Sequence, residues 1–369
     1  MLGGVERVLD NILPTLQQEH DVAVFTIDYF NLGLPHLDSV LKYQPRPKEP
    51  LSGRTKRQTE RKQLIHLVRE MKKWRADIVV LNKSCGLAGW MSQLLDVPLV
   101  GYLHDSWSLM QSVPYGAGYS RAKATFLRLL YRYRHLYDSD GLLHRGFGRT
   151  RLVICPSSWL AREVRAIYPD VNLKVIPDGV DHSKFRPTRV DKGYALCGGR
   201  FSSEKNFELA IHASLLAGCS LVICGSTGQG ETHEKAMEYV SRLRVVGGSR
   251  VRLDLDIEDS EYIRRLQECS VFLHPGKKEA FGLAPLEAMS CGKPVIALNS
   301  SGTPEAVSDG GILLEEDPEL WGRELKRIME SENLRAELGE KALVHSEQFT
   351  WERTATEIAE ALASVGVKR

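Results

Sequence analysis

Short apolar runs alternate along the chain with longer segments in which apolar residues recur every three or four positions. Runs of this length are typical of strands buried on both faces, and the longer spacing is typical of amphipathic helices. Strands that alternate with helices predict parallel sheets built from βαβ units, and so an α/β fold. The runs that predict strands are 22–27, 77–81, 98–103, 152–155, 194–197, 221–224, 270–274, 294–298 and 311–314.

The segment between the predicted strands 270–274 and 294–298 predicts a turn followed by a short helix. Pro285 suits the first helical turn, and Gly292 suits the position just beyond the helix end. Amide groups where a chain enters a helix lack intrahelical partners and carry partial positive charge. This turn therefore predicts a phosphate site at the carboxyl end of a strand. Its residues are Phe281, Gly282 and Leu283.

Two carboxylates flank this turn, Glu279 on the loop before it and Glu287 about one turn into the helix. A carboxylate beside a phosphate site repels the phosphate, so we expect the pair to bind uncharged groups such as sugar hydroxyls. The alternative is that Glu287 only complements the helix dipole and Glu279 is a solvated loop charge.

A second glycine-rich turn follows the predicted strand 194–197, with the sequence Gly-Gly-Arg and then Glu-Lys-Asn before a helical pattern. Arg200 supplies a planar fork and Lys205 a compact point charge, and both suit diphosphate oxygens. The alternative is two solvated surface cations.

Another candidate is His104, which follows the strand 98–103 where α/β sheets place ligands, although a lone histidine also serves as a cap or core residue.

The carboxylate pair around Phe-Gly-Leu resembles the Glu-x7-Glu signature of retaining glycosyltransferase family 4, which has the GT-B fold. The turn at 198–206 is similar to the diphosphate clamp of that family, and 173–187 is similar to its hinge between domains. The resemblance implies two Rossmann-like domains facing a cleft. They would be an acceptor-side domain at 1–180 and a nucleotide-sugar domain at 181–349, with a final helix at 350–369 packing back on the first.

The resemblance also implies roles for individual residues. Glu279 would contact the donor sugar, Glu287 the ribose, and Asp256 would lie beside the base. The catalytic candidates are His104, Arg200, Lys205 and Glu279. The donor-binding candidates are Gly3, Gly4, Arg200, Lys205, Asp256, Glu279, Phe281, Gly282, Leu283 and Glu287.

The start of the chain departs from the family pattern. Gly3 and Gly4 precede an amphipathic helical pattern, as the family loop does, but no buried strand comes before them. We therefore expect the first strand of the N-terminal sheet to be missing, or the true start to lie upstream of Met1.

Charge is distributed unevenly between the two halves. Residues 1–180 carry 25 Lys and Arg against 17 Asp and Glu, whereas residues 181–369 carry 24 against 30. The basic stretches 42–75 and 120–151 favour an anionic membrane surface or a lipid phosphate as partner, and we expect no nucleic acid. The alternatives are a solvated charged face for the first stretch and an interdomain helix for the second.

The sequence predicts neither a metal nor a bound cofactor. Asp254 and Asp256 form an Asp-x-Asp pattern, but it lies at a strand end, and cations already neutralise the predicted phosphates. None of the seven cysteines forms a CxxC pair, and no apolar run approaches about 20 residues. The first residues lack an apolar h-region, so we expect no signal peptide. We expect a cytoplasmic protein, with the nucleotide-sugar as a co-substrate.

The resemblance implies metal-independent transfer of a hexose, with retention, from a nucleotide diphosphate-sugar. GDP-mannose is the preferred donor, and a lipid-linked sugar or glycan is the preferred acceptor. The alternative, suggested by the missing strand, is a non-catalytic nucleotide-sugar-binding or scaffold subunit of glycan assembly. An epimerase or phosphorylase on the same fold is a third hypothesis.

Overall fold

Three parallel sheets organise the residues that the computed structural model describes, which are 4–26, 34–43, 65–82, 94–104, 150–228 and 231–366. In those residues the chain divides into two units. The N-terminal unit takes Gly4–Pro156, Leu160–Ile176 and Thr354–Arg369, and the C-terminal unit takes Ser157–Trp159 and Pro177–Arg353. The predicted domain limits at residues 180 and 349 stay a prediction.

The N-terminal unit contains a parallel pair of strands and a four-stranded parallel sheet. The pair is β1 (Val24–Phe25) and β2 (Leu41–Tyr43). The sheet is β3 (Val79–Asn82), β4 (Leu99–Tyr102), β5 (Leu152–Cys155) and β6 (Leu173–Val175), hydrogen-bonded in chain order. The helices are α1 (Gly4–Leu16), α2 (Pro35–Ser39), α3 (65–74) and α4 (Ser158–Ile167).

Apolar packing of α3 on the sheet supports this unit. Leu67, Val68 and Met71 are buried on one face of the helix, against residues of β3 and β4. Strand β1 is shorter than the predicted 22–27, because its hydrogen bonds are limited to the short strand β2. The expectation about a strand ahead of α1 concerns positions outside the described residues.

The C-terminal unit contains a six-stranded parallel sheet. Its strands are β7 (Tyr194–Gly198), β8 (Ser220–Gly225), β9 (Val251–Leu255), β10 (Val271–His274), β11 (Val295–Leu298) and β12 (Ile312–Leu314). They are arranged in the order β12-β11-β10-β7-β8-β9. Strands β8 and β9 follow β7 on one side, and β10, β11 and β12 follow on its other side. The direction in which successive strands are added to the sheet therefore reverses between β7 and β10. Ligands of open α/β sheets bind at such a reversal, beyond the carboxyl ends of the strands.

Helices cover both faces of this sheet. They are α5 (Phe207–Ala217), α6 (Glu231–Gly247), α7 (Asp259–Glu268), α8 (Leu283–Ser290), α9 (Thr303–Val307), α10 (Pro318–Met329) and α11 (Glu332–Ser346). The last helix, α12 (Trp351–Val365), belongs from Thr354 onward to the N-terminal unit. Alternate strand residues enter two separate apolar clusters, so Leu273 packs in one and Phe272 in the other. Burial on both faces explains the continuous apolar runs of the sequence.

The predicted limits of α8 are confirmed. The helix starts at Leu283 after Gly282, which has φ of +131°, and Pro285 lies in its first turn. Gly292 follows the C-cap with φ of +67°, in the left-handed region that glycine adopts without steric penalty.

The sequence Thr303-Pro304 predicts Thr303 as the N-cap of a helix and Pro304 as its first residue, but α9 begins one residue earlier. The cap position is Gly302, whereas the hydroxyl-bearing Thr303 is the first helical residue and is fully buried. Glycine is needed here because a Cβ atom would lie 2.1 Å from the carbonyl oxygen of Ala280.

Within the described ranges, no helix combines the length and the apolar character needed to cross a bilayer. The described cysteines carry free thiols, and all but Cys219 are buried. Burial raises the pKa of Cys155 and of Cys224 to about 12, so neither thiol is ionised at neutral pH.

Candidate functional site

Three loops that follow β7, β10 and β11 are joined to one another by hydrogen bonds. The Lys277 amide donates to the carbonyl of Glu204 at 2.8 Å, which joins the first loop to the second. The Gly302 amide donates to the carbonyl of Glu279 at 2.9 Å, which joins the second to the third. The loops therefore form one connected rim at the reversal point of the sheet.

Lys205 and Glu279 form an ion pair across this rim, between Nζ and Oε1. Each side chain is 18% exposed. The lysine stem lies against Gly199, where an added Cβ would come within 3.3 Å of Cε and where φ is +154°. Two predicted site residues that are 74 positions apart are thus brought together.

Arg200 is placed at the edge of the site. Its side chain is 65% exposed, and its guanidinium donates to Glu204 at 3.1 Å. It is still close enough for its charge to contribute to lowering the pKa of Glu279. Arg200 is therefore positioned to supply long-range attraction for an anion, with Lys205 nearer the centre.

The carboxyl group of Glu279 is charged at neutral pH. Burial acts to raise its pKa, but the Lys205 ammonium holds the pKa below the ordinary value. The second neighbour is His274 at the end of β10, whose Nε2 lies 3.7 Å from Glu279 Oε1. Burial lowers the pKa of this histidine to about 4, and the opposing effect of Glu279 does not offset it.

His274 gives the first testable prediction. An unfolded histidine binds its proton near pH 6.5, whereas the folded His274 binds one near pH 4. Protonation between these values favours the unfolded chain, so the stability present above pH 6.5 is lost as pH falls toward 4. We expect His274→Gln to reduce the pH slope of the unfolding free energy in this window by up to about 1.4 kcal/mol per pH unit.

Denaturant unfolding at a series of pH values measures that slope for both proteins. The matched control is His212→Gln, on the solvent side of α5, since His212 is exposed. Equal slopes in the wild type and His274→Gln would contradict the prediction.

The start of α8 places its predicted residues in different environments. The ring of Phe281 is buried and packs edge-on against Phe349, with centroids 5.7 Å apart. Phe281 can therefore offer a ligand its backbone amide but not its ring. Glu287 is buried within α8, Gly282 is the N-cap of that helix, and Leu283 is its first residue.

Two contacts near the site have no counterpart in the sequence predictions, and one of them fixes the loop that carries Glu279. Ser157 Oγ donates to the carbonyl of Ala280, which directly follows Glu279. Glu305 accepts from the amides of Ser158 and Trp159, each at 2.7 Å, and so caps the start of α4. These contacts, all inside the C-terminal unit, join positions more than 120 residues apart, so no local sequence signal marks them.

Gly302→Ala tests whether this loop must hold its conformation. The added methyl would lie 2.1 Å from the Ala280 oxygen and 2.9 Å from the Phe281 nitrogen, so the backbone has to shift. We expect a loss of about 1–3 kcal/mol in unfolding free energy, in the range of overpacked sites. Gly366→Ala is the control, since its Cβ would meet only an ordinary contact at 3.4 Å. Equal stability of both variants would contradict the expectation.

Asp256, predicted to lie beside the base, has its carboxylate bound to Thr227. The amide of Thr227 donates at 2.8 Å to one oxygen and its hydroxyl at 2.6 Å to the other. The neighbouring Asp254 pairs with Arg265 at 3.1 Å and with Arg252 at 2.6 Å. In the described part of the chain, no three His, Cys, Asp or Glu side chains are grouped to hold a metal ion.

Asp256→Ala separates a structural role from a base-binding one. Removal of the carboxylate leaves the amide of the buried Thr227 unsatisfied, while its hydroxyl keeps His233 Nδ1 as a partner at 2.8 Å. We expect a loss of about 1–3 kcal/mol in unfolding free energy. Asp256→Asn keeps one acceptor and should recover part of that loss. A base-binding role would instead appear as weaker nucleotide binding at unchanged melting temperature.

The remaining predicted residues lie in the N-terminal unit. His104 Nε2 is hydrogen-bonded to Asn82 Oδ1, and the imidazole lies over Tyr102 with ring centroids 4.0 Å apart. Asn82 is the last residue of β3, and His104 lies just after β4, the strand that pairs with β3. Gly4 is the first residue of α1, and Gly3 lies outside the described residues, so their part in a donor site stays a prediction.

Two family models match the chain, one in each half. Glycosyltransferase Family 4 matches residues 2–184, and glycosyl transferases group 1 matches residues 181–344. The chain belongs to glycosyltransferase family 4. Together the two matches cover residues 2–344, so the assignment to the family rests on most of the chain and not on one motif.

Curated relatives of this family 4 chain match it over part of their length. The D-inositol 3-phosphate glycosyltransferase of Salinispora arenicola is 29% identical over 231 residues, covering 53% of this chain and 51% of the relative. An uncharacterised glycosyltransferase of Methanocaldococcus jannaschii is 28% identical over 208 residues, covering 54% and 56%. The chain thus spans about half the length of these relatives.

Solved structures establish the fold of this family 4 chain as GT-B. Sucrose-phosphate synthase from Thermosynechococcus elongatus superposes with a TM-score of 0.75 at 17% identity, covering 98% of this chain and 93% of that one. Anabaena HepE in complex with UDP and glucose gives 0.68 at 20% identity, covering 98% and 96%. The predicted pair of Rossmann-like domains is confirmed by this likeness and by the parallel sheets.

Proposed function

We propose that the protein is a glycosyltransferase that moves a hexose from a nucleotide diphosphate-sugar to an acceptor. The observation that carries the proposal is the Lys205–Glu279 pair at the reversal point of a family 4 fold. A diphosphate needs a cation, and the sugar attached to it needs hydrogen-bond acceptors for its hydroxyls. The pair offers both groups side by side, where sheets of this kind bind ligands.

In this proposal the C-terminal unit holds the donor. Lys205 and the amides at the start of α8 bind the diphosphate, and Arg200 adds attraction from the edge. Glu279 accepts hydrogen bonds from the sugar hydroxyls, and Glu287 does the same for the ribose. The lowered pKa of Glu279 supports its role, because a charged carboxylate is the stronger acceptor.

The same groups supply the chemistry. As the glycosidic bond breaks, the diphosphate gains negative charge and the sugar becomes oxocarbenium-like. Lys205 and the backbone amides stabilise the leaving group, and a contact that strengthens in the transition state contributes about 3–4 kcal/mol. We propose that no protein nucleophile or metal takes part, that the diphosphate accepts the acceptor proton, and that the anomeric configuration is retained.

For the donor we propose GDP-mannose, with UDP-glucose as the competing candidate because the HepE fold neighbour was solved with UDP-glucose. For the acceptor we propose a lipid-linked sugar or a glycan, reached from an anionic membrane surface. The net positive charge of residues 1–180 supports that surface, although most of the basic stretches 42–75 and 120–151 lie outside the described residues.

The test is nucleotide release from a panel of donors. Purified protein is mixed with GDP-mannose, UDP-glucose and UDP-N-acetylglucosamine, each with and without a membrane extract, and free GDP or UDP is measured. Release that depends on the extract supports transfer, and NMR of the product reports the anomeric configuration. EDTA in the same assay tests metal independence. Donor binding without release would instead favour a non-catalytic subunit, and release without acceptor would favour another reaction.

A further inference from the structure

A buried imidazole lies beside the Lys205–Glu279 pair and has no role in the chemistry described above. His274 ends β10, is 3% exposed, and stacks on Phe272 with ring centroids 6.5 Å apart. Its Nε2 atom is buried and has no hydrogen-bond partner in the described part of the chain. Oε1 of Glu279 lies 3.7 Å from this atom.

The backbone keeps the space between these two groups open. A Cβ atom at Gly276 would lie 2.9 Å from Glu279 Oε1 and 3.5 Å from His274 Nε2. Any larger residue would therefore force the carboxylate or the imidazole to move. The glycine lets both groups face one small volume, in which a shift of less than 1 Å would make a hydrogen bond.

The ammonium of Lys205 is required in two places. In the unliganded protein it pairs with Glu279, and in the proposed donor complex it binds the diphosphate. A largely buried carboxylate that loses its cation needs another donor, since an uncompensated buried charge is strongly destabilising. At neutral pH the imidazole of His274 is uncharged and carries one N–H, and it is the donor within reach.

We propose that His274 is a positioning residue for the donor sugar. Its Nε2–H donates to the Glu279 carboxylate when Lys205 turns to the diphosphate, and the other carboxylate oxygen is held in place for a sugar hydroxyl. This inference rests on the proposed function. It predicts a loss of affinity that is larger for the nucleotide-sugar than for the nucleotide, because both bring a diphosphate to Lys205 but only the nucleotide-sugar brings a hydroxyl to Glu279.

The experiment compares the binding of GDP with GDP-mannose, and of UDP with UDP-glucose, by calorimetry. In His274→Leu we expect the affinity for the productive nucleotide-sugar to fall about ten- to a hundredfold, the range for a hydrogen bond to a charged group. The affinity for the free nucleoside diphosphate should fall less, because the nucleotide also draws Lys205 away from Glu279 but brings no sugar hydroxyl to the second carboxylate oxygen. His274→Gln retains an N–H donor and should restore most of the loss.

Three outcomes overturn the inference. One is equal weakening of the nucleotide and the nucleotide-sugar, and another is no weakening of either. The third is read on the wild type, so it does not depend on a folded variant. In ¹⁵N-histidine-labelled protein, a slowly exchanging Nε2–H signal should be absent from the unliganded protein and should appear when the nucleotide-sugar binds. Its absence contradicts the proposal. Failure of the wild type to bind any nucleotide would instead overturn the proposed function itself.

Discussion

Lys205→Ala should lower acceptor-dependent nucleotide release by about a hundred- to a thousandfold, the range for loss of one preorganised electrostatic contact to a transition-state charge. The ammonium is held at the rim by Glu279 and by the glycine against its stem, so it needs little rearrangement to meet a diphosphate. Because its contact strengthens as the leaving group gains charge, the effect should fall on kcat as well as on donor binding. Steady-state kinetics with the productive donor measures both.

Two comparisons show whether the loss is specific to Lys205. Lys277→Ala makes the same charge change one loop away, where the lysine pairs with an exposed Glu316, and we expect less than a threefold effect since exposed pairs contribute little. The double change Lys205→Ala with Glu279→Gln removes the unpaired carboxylate that the single variant leaves. It should regain stability, by about 1–3 kcal/mol, without regaining activity. Full activity in Lys205→Ala would refute the proposed diphosphate contact.

The sequence predicted those parts of the site that depend on local chain geometry. Lys205 and Glu279 each follow a buried strand in a glycine-containing turn, and parallel strands bring such turns to one edge of the sheet. The end of α8 before Gly292 was likewise predictable, because glycine adopts positive φ freely. The same local logic misplaced the start of α9, because a hydroxyl residue suggests a cap although the close approach of Ala280 requires glycine there.

Contacts between distant segments were not predictable. Ser157 looks like the cap of its own helix, but its hydroxyl binds Ala280, and Glu305 from a far segment supplies the cap. His274 looks like the polar end of an apolar strand, and only the fold shows that it faces Glu279. Periodicity reports which face of an element is buried but not which side chain lies opposite it.

Glu279→Gln should weaken the contact with the sugar part of the donor, whereas Lys205→Ala should weaken the contact with the diphosphate part. Loss of the carboxylate removes an acceptor for the sugar and frees the Lys205 ammonium, so we expect nucleotide-sugar turnover to fall about a hundredfold, in the range for a contact of this kind. Binding of the free nucleoside diphosphate should be unchanged or tighter, because the ammonium no longer has a competing partner. Calorimetry with the nucleotide and kinetics with the donor separate the two effects.

A matched carboxylate is available as the control for Glu279→Gln. Glu268 pairs with Lys192 at 2.9 Å, its side chain is 12% exposed, and its pKa is also lowered, with burial opposed by the cations of Lys192 and Arg264. It is the last residue of α7, before β10 begins, and so lies at the opposite end of that strand from Glu279. Glu268→Gln should therefore reduce stability without changing the ratio of nucleotide to nucleotide-sugar affinity. If both glutamine variants shifted that ratio equally, the sugar contact assigned to Glu279 would be wrong, since removing any partly buried carboxylate would have the same effect.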